Sequence, residues 1–271
     1  SDRRQDGGFS VSRIEKRLVS LNGNKALVAF YTAGDPDLSA SKDIFAVIEK
    51  NGADIIEIGV PFSDPLADGP TIQASSHRSL QKGTTLKKII QLVADIRKTS
   101  ELPIILMTSF NPVFVYGKKE FVADAVKAGV DGMIIPDLPP EEAEEFLGIA
   151  EGLDMVFLLA PTSTPARIQQ VGKVSKGFIY YISLTGTTGT KEALSAGLKK
   201  KVNEIKKSVS LPVLVGFGVS GPELAKQAAE ASDGVIIGSA IVKLIAEHSD
   251  PAERDRKLAD FLASIKKAIN P

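Results

Sequence analysis

Eight short apolar runs, each followed by a helix-forming stretch, constrain the fold of this 271-residue chain more than any other feature. The runs are Ala26–Tyr31, Ile55–Val60, Pro103–Met107, Gly132–Ile135, Met155–Leu159, Phe178–Ile182, Pro212–Val215 and Gly234–Ile237. Most are continuously apolar rather than alternating, as expected of strands covered on both faces. The stretches between them are long enough for parallel crossovers. Their apolar residues recur three or four apart, as with Ile44, Val47 and Ile48 in Ser39–Asn51, which Gly52 ends. Further helices are predicted over Thr71–Gln81, Thr85–Thr99, Lys119–Ala128, Pro140–Glu151, Pro165–Val174, Ala193–Val209, Gly221–Ala231, Ala240–His248 and Ala252–Ile269. Val11, Ile14, Leu18 and Leu21 add a short amphipathic helix at the start.

Eight βα units in this length suit a closed (β/α)₈ TIM barrel better than a doubly wound sheet. The expected fold is an α/β barrel with an extra N-terminal helix and additional short helices after strands 2 and 8. No Pro/Ser/Gly-rich linker interrupts the chain, so residues 9–271 are expected to form a single barrel domain. Residues 1–8, SDRRQDGG, read as a disordered N-terminal segment or a cloning remnant.

Lys+Arg and Asp+Glu number 33 each, which gives no reason to expect nucleic acid or a membrane surface as partner. No apolar run approaches the ~20 residues that span a bilayer, and no signal-peptide core is visible. With no cysteine, disulfides and thiolate metal sites are excluded. Two histidines argue against zinc. No metal is expected, although Asp64 and Asp68 leave a carboxylate magnesium site open. The expected location is the cytoplasm. The missing initiator Met leaves a removed transit peptide, and with it the plastid stroma, as the other location.

In a barrel of this kind, function sits in the loops after the strands. The stretch Ile55–Pro70, IIEIGVPFSDPLADGP, places an acidic residue, Glu57, inside an apolar strand and two more, Asp64 and Asp68, in the loop that follows. Burying an ionised carboxylate costs several kcal/mol or raises its pKa. Glu57 is therefore either a functional carboxyl or a core carboxylate paired with a lysine. Asp64 precedes a proline and reads as a turn former; Asp68, before Gly-Pro, reads either way. Phe30 and Tyr180, taken alone, read as core.

The second feature is glycine late in the chain. The seventh strand runs into GFGVSG (Gly216–Gly221), and the eighth into Gly238-Ser239. Backbone N–H groups at helix starts bind phosphate, and glycine lets it approach closely. Barrels often hold phosphate between these two loops. GFGVSG also satisfies G-x-G-x-x-G, so a dinucleotide site is a rival. That rival expects an acidic residue about 20 positions on, where this chain has VIIGSAIV. A phosphomonoester site is the better reading. The loop after strand 6, Thr185–Thr190, is a further N–H source or a mobile lid.

IEIGVPFSDPLADGPTIQ, with AFYTAGDP, GFGVS and GSAIV, closely resembles the tryptophan synthase alpha subunit family, and the resemblance runs from about Ser12 to the last helix. It implies a lyase that cleaves indole-3-glycerol phosphate to indole and glyceraldehyde 3-phosphate by a retro-aldol reaction. It implies no cofactor in this chain; pyridoxal phosphate is expected only in a beta-subunit partner, within an alpha-beta-beta-alpha complex. By resemblance, Glu57 is the acid–base group and Asp68 the carboxylate at the indole nitrogen. Gly189, Gly218, Gly238 and Ser239 match phosphate ligands. Phe30, Ile72, Ile134, Tyr180 and Phe217 match the indole pocket, and Thr188 matches the lid residue that bonds Asp68. The loops after strands 2 and 6 match surfaces facing the beta subunit. Ser109 and Leu184 depart from residues common in the family, Tyr and Arg. Rivals to the alpha-subunit role are a stand-alone lyase releasing free indole, a catalytically weak allosteric partner, and a different phosphosugar barrel enzyme such as an isomerase.

Overall fold

The computed structural model describes residues 11–64, 68–183, 191–216 and 218–271, with the side chains of 191–195 excepted. The predicted N-terminal segment 1–8 lies outside these residues. The strands are β1 (Ala26–Thr32), β2 (Ile55–Gly59), β3 (Ile104–Met107), β4 (Gly132–Ile134), β5 (Asp154–Met155), β6 (Leu158–Leu159), β7 (Ile179–Ile182), β8 (Val213–Gly216) and β9 (Gly234–Ile237). They pair in parallel in the order β5-β4-β3-β2-β1-β9-β8-β7-β6.

The two ends of that order, β5 and β6, are halves of one predicted strand, Met155–Leu159. β5 pairs with β4, and β6 with β7. Between them, Val156 N–H donates to the Met133 carbonyl at 2.9 Å, and Tyr180 N–H donates to that of Phe157 at 3.2 Å. Both edges of the sheet thus share one chain segment, so the sheet curls into the expected eight-stranded barrel with its fifth strand interrupted.

The helices are α1 (Arg13–Ser20), α2 (Leu38–Lys50), α3 (Pro70–Gln81), α4 (Leu86–Ile96), α5 (Phe110–Tyr116), α6 (Lys118–Ala128), α7 (Glu144–Leu147), α8 (Pro165–Val174), α9 (Lys191–Ser208), α10 (Pro222–Ala231), α11 (Ser239–Glu247) and α12 (Pro251–Ile269). Side chains of Ser12, Asp37, Thr85, Thr164 and Asp250 cap five of them. Paired helices follow β2 and β9 as expected, although α12, at 19 residues, is not short.

Two expectations need correction. α5 is not among the predicted helices. Pro112 is the third helical residue, where its missing N–H has no intrahelical partner to lose. The helix predicted over Pro140–Glu151 shrinks to four residues, Glu144–Leu147. Tandem prolines 139 and 140 instead accept turn bonds from Glu142 and Ala143.

Strand side chains alternate between two cores. Leu27, Ala29, Tyr31, Ile56, Ile58 and Leu106 face the helices. Ala26, Val28, Ile55, Ile105, Ile134, Val156, Phe178, Leu214 and Ile236 fill the barrel interior. Ile14 of α1 joins that interior cluster, so the N-terminal helix plugs one end of the barrel. Polar bonds tie it there: Arg17 to Asp54 at 2.8 Å, Arg13 to Asp131, and the Ser12 hydroxyl to Asp154. Asp54, Asp131 and Asp233 also accept the N–H groups of Leu27, Ile104 and Val213 at the starts of neighbouring strands, at 2.7 to 2.8 Å. Among the described residues no helix is long and apolar enough to cross a membrane.

Candidate active site

The inward-facing set of positions continues past the apolar interior into a cavity of about 370 Å³. Phe30 and Glu57 come from β1 and β2, Met107 from β3, Tyr180 and Ile182 from β7, and Ile236 from β9. Met107, Ile182 and Ile236 lie at or next to the carboxyl ends of their strands, and Phe30, Glu57 and Tyr180 lie two residues before those ends. The loop after β2 and the start of α3 add Asp68, Gly69, Pro70, Thr71 and Ile72.

Glu57 occupies the middle of β2, in register with Phe30 on β1 and Ile105 on β3. It is 1% exposed. Neither carboxylate oxygen has a hydrogen-bond partner among the described residues, so the paired core carboxylate is not what is found. Burial, aided by the charge of Asp68, pushes its pKa from 4.5 up to about 8. Asp68 itself is shifted upward by burial. Its backbone carbonyl accepts the Gln73 side-chain amide at 2.8 Å, which joins the loop to α3. The Tyr180 hydroxyl is raised well above its ordinary range, first by burial and then by the charges of Glu57 and Asp68.

Another part of the wall is backbone. Gly218, Val219 and Ser220 follow β8, and Gly238, Ser239 and Ala240 lie where β9 runs into α11. Gly218 has φ +79°, a left-handed conformation that favours glycine. No side chain caps the start of α11. Its first intrahelical bond runs from Val242 N–H to the Gly238 carbonyl, at 3.0 Å. The N–H groups of Ser239, Ala240 and Ile241 therefore have no acceptor within the helix, and the macrodipole favours an anion beside them. The cavity thus combines a buried carboxyl group, a second, half-buried one, apolar walls and a helix start suited to phosphate.

The structure brings Phe30, Glu57, Asp68, Ile72, Tyr180, Gly218, Gly238 and Ser239 to this one cavity. Ile134 is not among its lining residues. It is fully buried in the interior cluster, in register with Met107, which reaches the cavity instead. Thr188, Gly189, Phe217 and Leu184 lie outside the described residues. Sequence reasoning missed Met107, Leu158, Ile182 and Ile236, whose signal was the inward parity along each strand, and Pro136, which stands in the turn after β4. Asp64 lines a second cavity of about 500 Å³, which shares Phe30, Asp68, Ile72, Met107 and Pro136 with the first. Ser109, Asn111 and Asp137 also line it. Among the described residues no three His, Cys, Asp or Glu side chains gather as a metal ion would require.

Comparison with known proteins gives a consistent result. The family model "Tryptophan synthase alpha chain" matches residues 18–270. The tryptophan synthase alpha chain of Geotalea uraniireducens (strain Rf4) is 52% identical over 263 residues, covering 96% of this chain and 98% of the relative. That of Geobacter sulfurreducens is 49% identical over 263 residues, covering 96% and 99%. Among solved structures, tryptophan synthase subunit alpha from Legionella pneumophila str. Paris superposes with a TM-score of 0.89 at 37% identity, covering 96% of this chain and 99% of that one. A chain of M. tuberculosis tryptophan synthase in its aminoacrylate-bound form gives 0.84 at 34% identity, covering 96% and 100%. This protein belongs to the tryptophan synthase alpha chain family.

Proposed function

We propose that the cavity cleaves indole-3-glycerol phosphate, with Glu57 as its acid–base group and Asp68 as its electrostatic partner at the indole nitrogen. The family makes the protein a carbon–carbon lyase of tryptophan biosynthesis. The observation that carries the residue assignment is Glu57. It is a buried carboxyl without a partner among the described residues, in one cavity with Asp68 and the open helix start of α11.

With its pKa near 8, Glu57 holds a proton at neutral pH. It gives that proton to C3 of the indole ring, which converts the ring into an electron sink. Positive charge then develops at the ring nitrogen, where the carboxylate of Asp68 stabilises it. Glu57, now a carboxylate, takes the proton of the hydroxyl on the carbon attached to C3. That oxygen becomes the aldehyde carbonyl, the bond from C3 breaks, and its electron pair returns to the ring. Indole leaves with the proton from Glu57 on C3, and Glu57 is protonated again. Gly218, Gly238, Ser239 and the first N–H groups of α11 anchor the phosphate. Phe30, Ile72, Met107 and Tyr180 enclose the ring. This reading uses no cofactor and no metal in this chain.

The partner is a tryptophan synthase beta subunit, which supplies its own pyridoxal phosphate and receives the indole in an alpha-beta-beta-alpha assembly. α5 supports a docking face near the second cavity: Phe114 and Val115 stand 62% and 75% exposed there, close to the lining residues Ser109 and Asn111. The stand-alone lyase and the weak allosteric partner are not favoured by relatives named as alpha chains along nearly their whole length. Their bacterial origin supports the cytoplasm over the plastid.

The test is steady-state indole release from indole-3-glycerol phosphate, alone and with beta subunit. The expected result is slow release alone and stimulation by about tenfold or more with the partner. Equal rates in both would contradict the partner reading, and no release in either would overturn the reaction.

A further inference from the structure

Helix α5 is capped from outside its own segment. Its N-cap residue is Ser109, whose side chain makes no capping bond. The first helical N–H, that of Phe110, donates instead to Oδ1 of Asp137 at 2.8 Å, across 27 residues of chain. A carboxylate in this position satisfies an orphan donor and complements the helix dipole.

Asp137 lies in the turn that leaves β4. Its neighbour Pro136 lines both cavities, and Asp137 lines the second. One hydrogen bond therefore joins the rim of the substrate cavity to α5. The other anchors of α5 are the fully buried Val113, which packs into the main core, and ring contacts. Phe110 meets Phe146 edge-on at 6.0 Å, and Tyr116 meets Phe121 at 5.9 Å, with the Tyr116 hydroxyl donating to Asp124 at 2.6 Å. Apolar packing is non-directional; the N–H bond to Asp137 is directional and fixes where the helix begins. Between these anchors, Phe114 and Val115 project into solvent.

We propose that Asp137 is a positioning residue for partner docking. By capping α5 from the cavity rim, it sets the angle at which Phe114 and Val115 meet the beta subunit. It thereby ties the seating of the partner to the shape of the cavity. This inference rests on the reading of α5 as a docking face.

The test titrates the full-length chain with beta subunit and reads the apparent Kd and the stimulation of indole release. The variants are Asp137→Ala, Asp137→Asn and Phe114→Asp, with thermal melts of each. Losing the cap is expected to weaken partner binding by about tenfold in Asp137→Ala and to lower stimulation with it. Asp137→Asn keeps an acceptor oxygen at the helix start and is expected to stay within about threefold of the native chain. Native-like affinity and stimulation in Asp137→Ala overturn the inference. So does a tenfold loss in Asp137→Asn, which decides the matter even if the Ala variant fails to fold. Phe114→Asp separates the layers: if it binds like the native chain, the docking face itself is wrong. If it binds poorly while Asp137→Ala binds normally, only the role of Asp137 fails.

Discussion

The ring of Phe30 lies across Gly59, so that a Cβ at Gly59 would stand 2.5 Å from Phe30 Cζ. Tyr180 repeats the arrangement: a Cβ at Gly216 would stand 2.5 Å from its hydroxyl and 2.6 Å from Cε1. In both pairs the aromatic stands two residues before the glycine's register partner, Thr32 opposite Gly59 and Ile182 opposite Gly216. A glycine near the end of one strand thus seats the aromatic wall contributed by its neighbour. Gly216→Ala is expected to destabilise the protein by about 1–3 kcal/mol through overpacking and to lower kcat/KM by roughly tenfold or more by displacing the ring. Adding Tyr180→Leu removes the obstructing atoms and should recover most of the stability but not the activity. Urea unfolding and a double-mutant cycle check this; additive losses would show that the two residues do not interfere.

Glu57 makes stability depend on pH in a definite direction. Its folded pKa, about 8, lies above its ordinary 4.5, so between these values the folded chain holds a proton that the unfolded chain has released. Stability from this group is fully present below about pH 4.5 and is lost as pH rises through about 8. Glu57→Gln keeps the shape and cannot ionise. It should be more stable than the native chain near pH 8, by an amount on the order of a few kcal/mol, with the difference shrinking toward pH 4.5. Denaturation curves for the two proteins across that range check it. The same titration predicts that native cleavage declines above about pH 8, as Glu57 loses the proton that C3 requires.

Asp131 carries the charge balance at the plugged end of the barrel. Its side chain, 6% exposed, pairs with Arg13 and Arg97 and accepts the N–H of Ile104 at 2.7 Å. Asp131→Ala takes the counter-charge from the largely buried guanidinium of Arg97, which keeps bonds to the carbonyls of Gly129, Ser100 and Leu102, and should cost about 3–5 kcal/mol. The active cavity lies at the other ends of the strands, so kcat/KM at a permissive temperature should change little. Chemical denaturation paired with steady-state kinetics checks both halves of this prediction.

The barrel was legible because parallel strands buried on both faces must be continuously apolar, and seven of the eight runs reappear as single strands within one residue at either end. Glu57 was legible for the same reason, being an ionisable group inside such a run. The break between β5 and β6 was not, since Met155–Leu159 reads as unbroken apolar sequence while the closing geometry sets where each half pairs. α5 is seven residues long with a proline inside it, too short to show a clear helical period, and its cap is hidden by the 27 residues that separate Phe110 from Asp137. Met107 and Ile134 show the limit at the site itself. Both face inward, and only the stagger of the barrel decides that Met107 reaches the cavity while Ile134 stays in the interior.

In the proposed mechanism Glu57 moves the protons of the cleavage while Asp68 steadies the ring nitrogen. The most direct measurement is the rate of indole release from indole-3-glycerol phosphate by native, Glu57→Gln and Asp68→Asn chains, each saturated with beta subunit at neutral pH. The expected result is a fall of about 10³-fold or more for Glu57→Gln and roughly 10²-fold for Asp68→Asn, with both variants folded. A Glu57→Gln chain that releases indole at close to the native rate would contradict it.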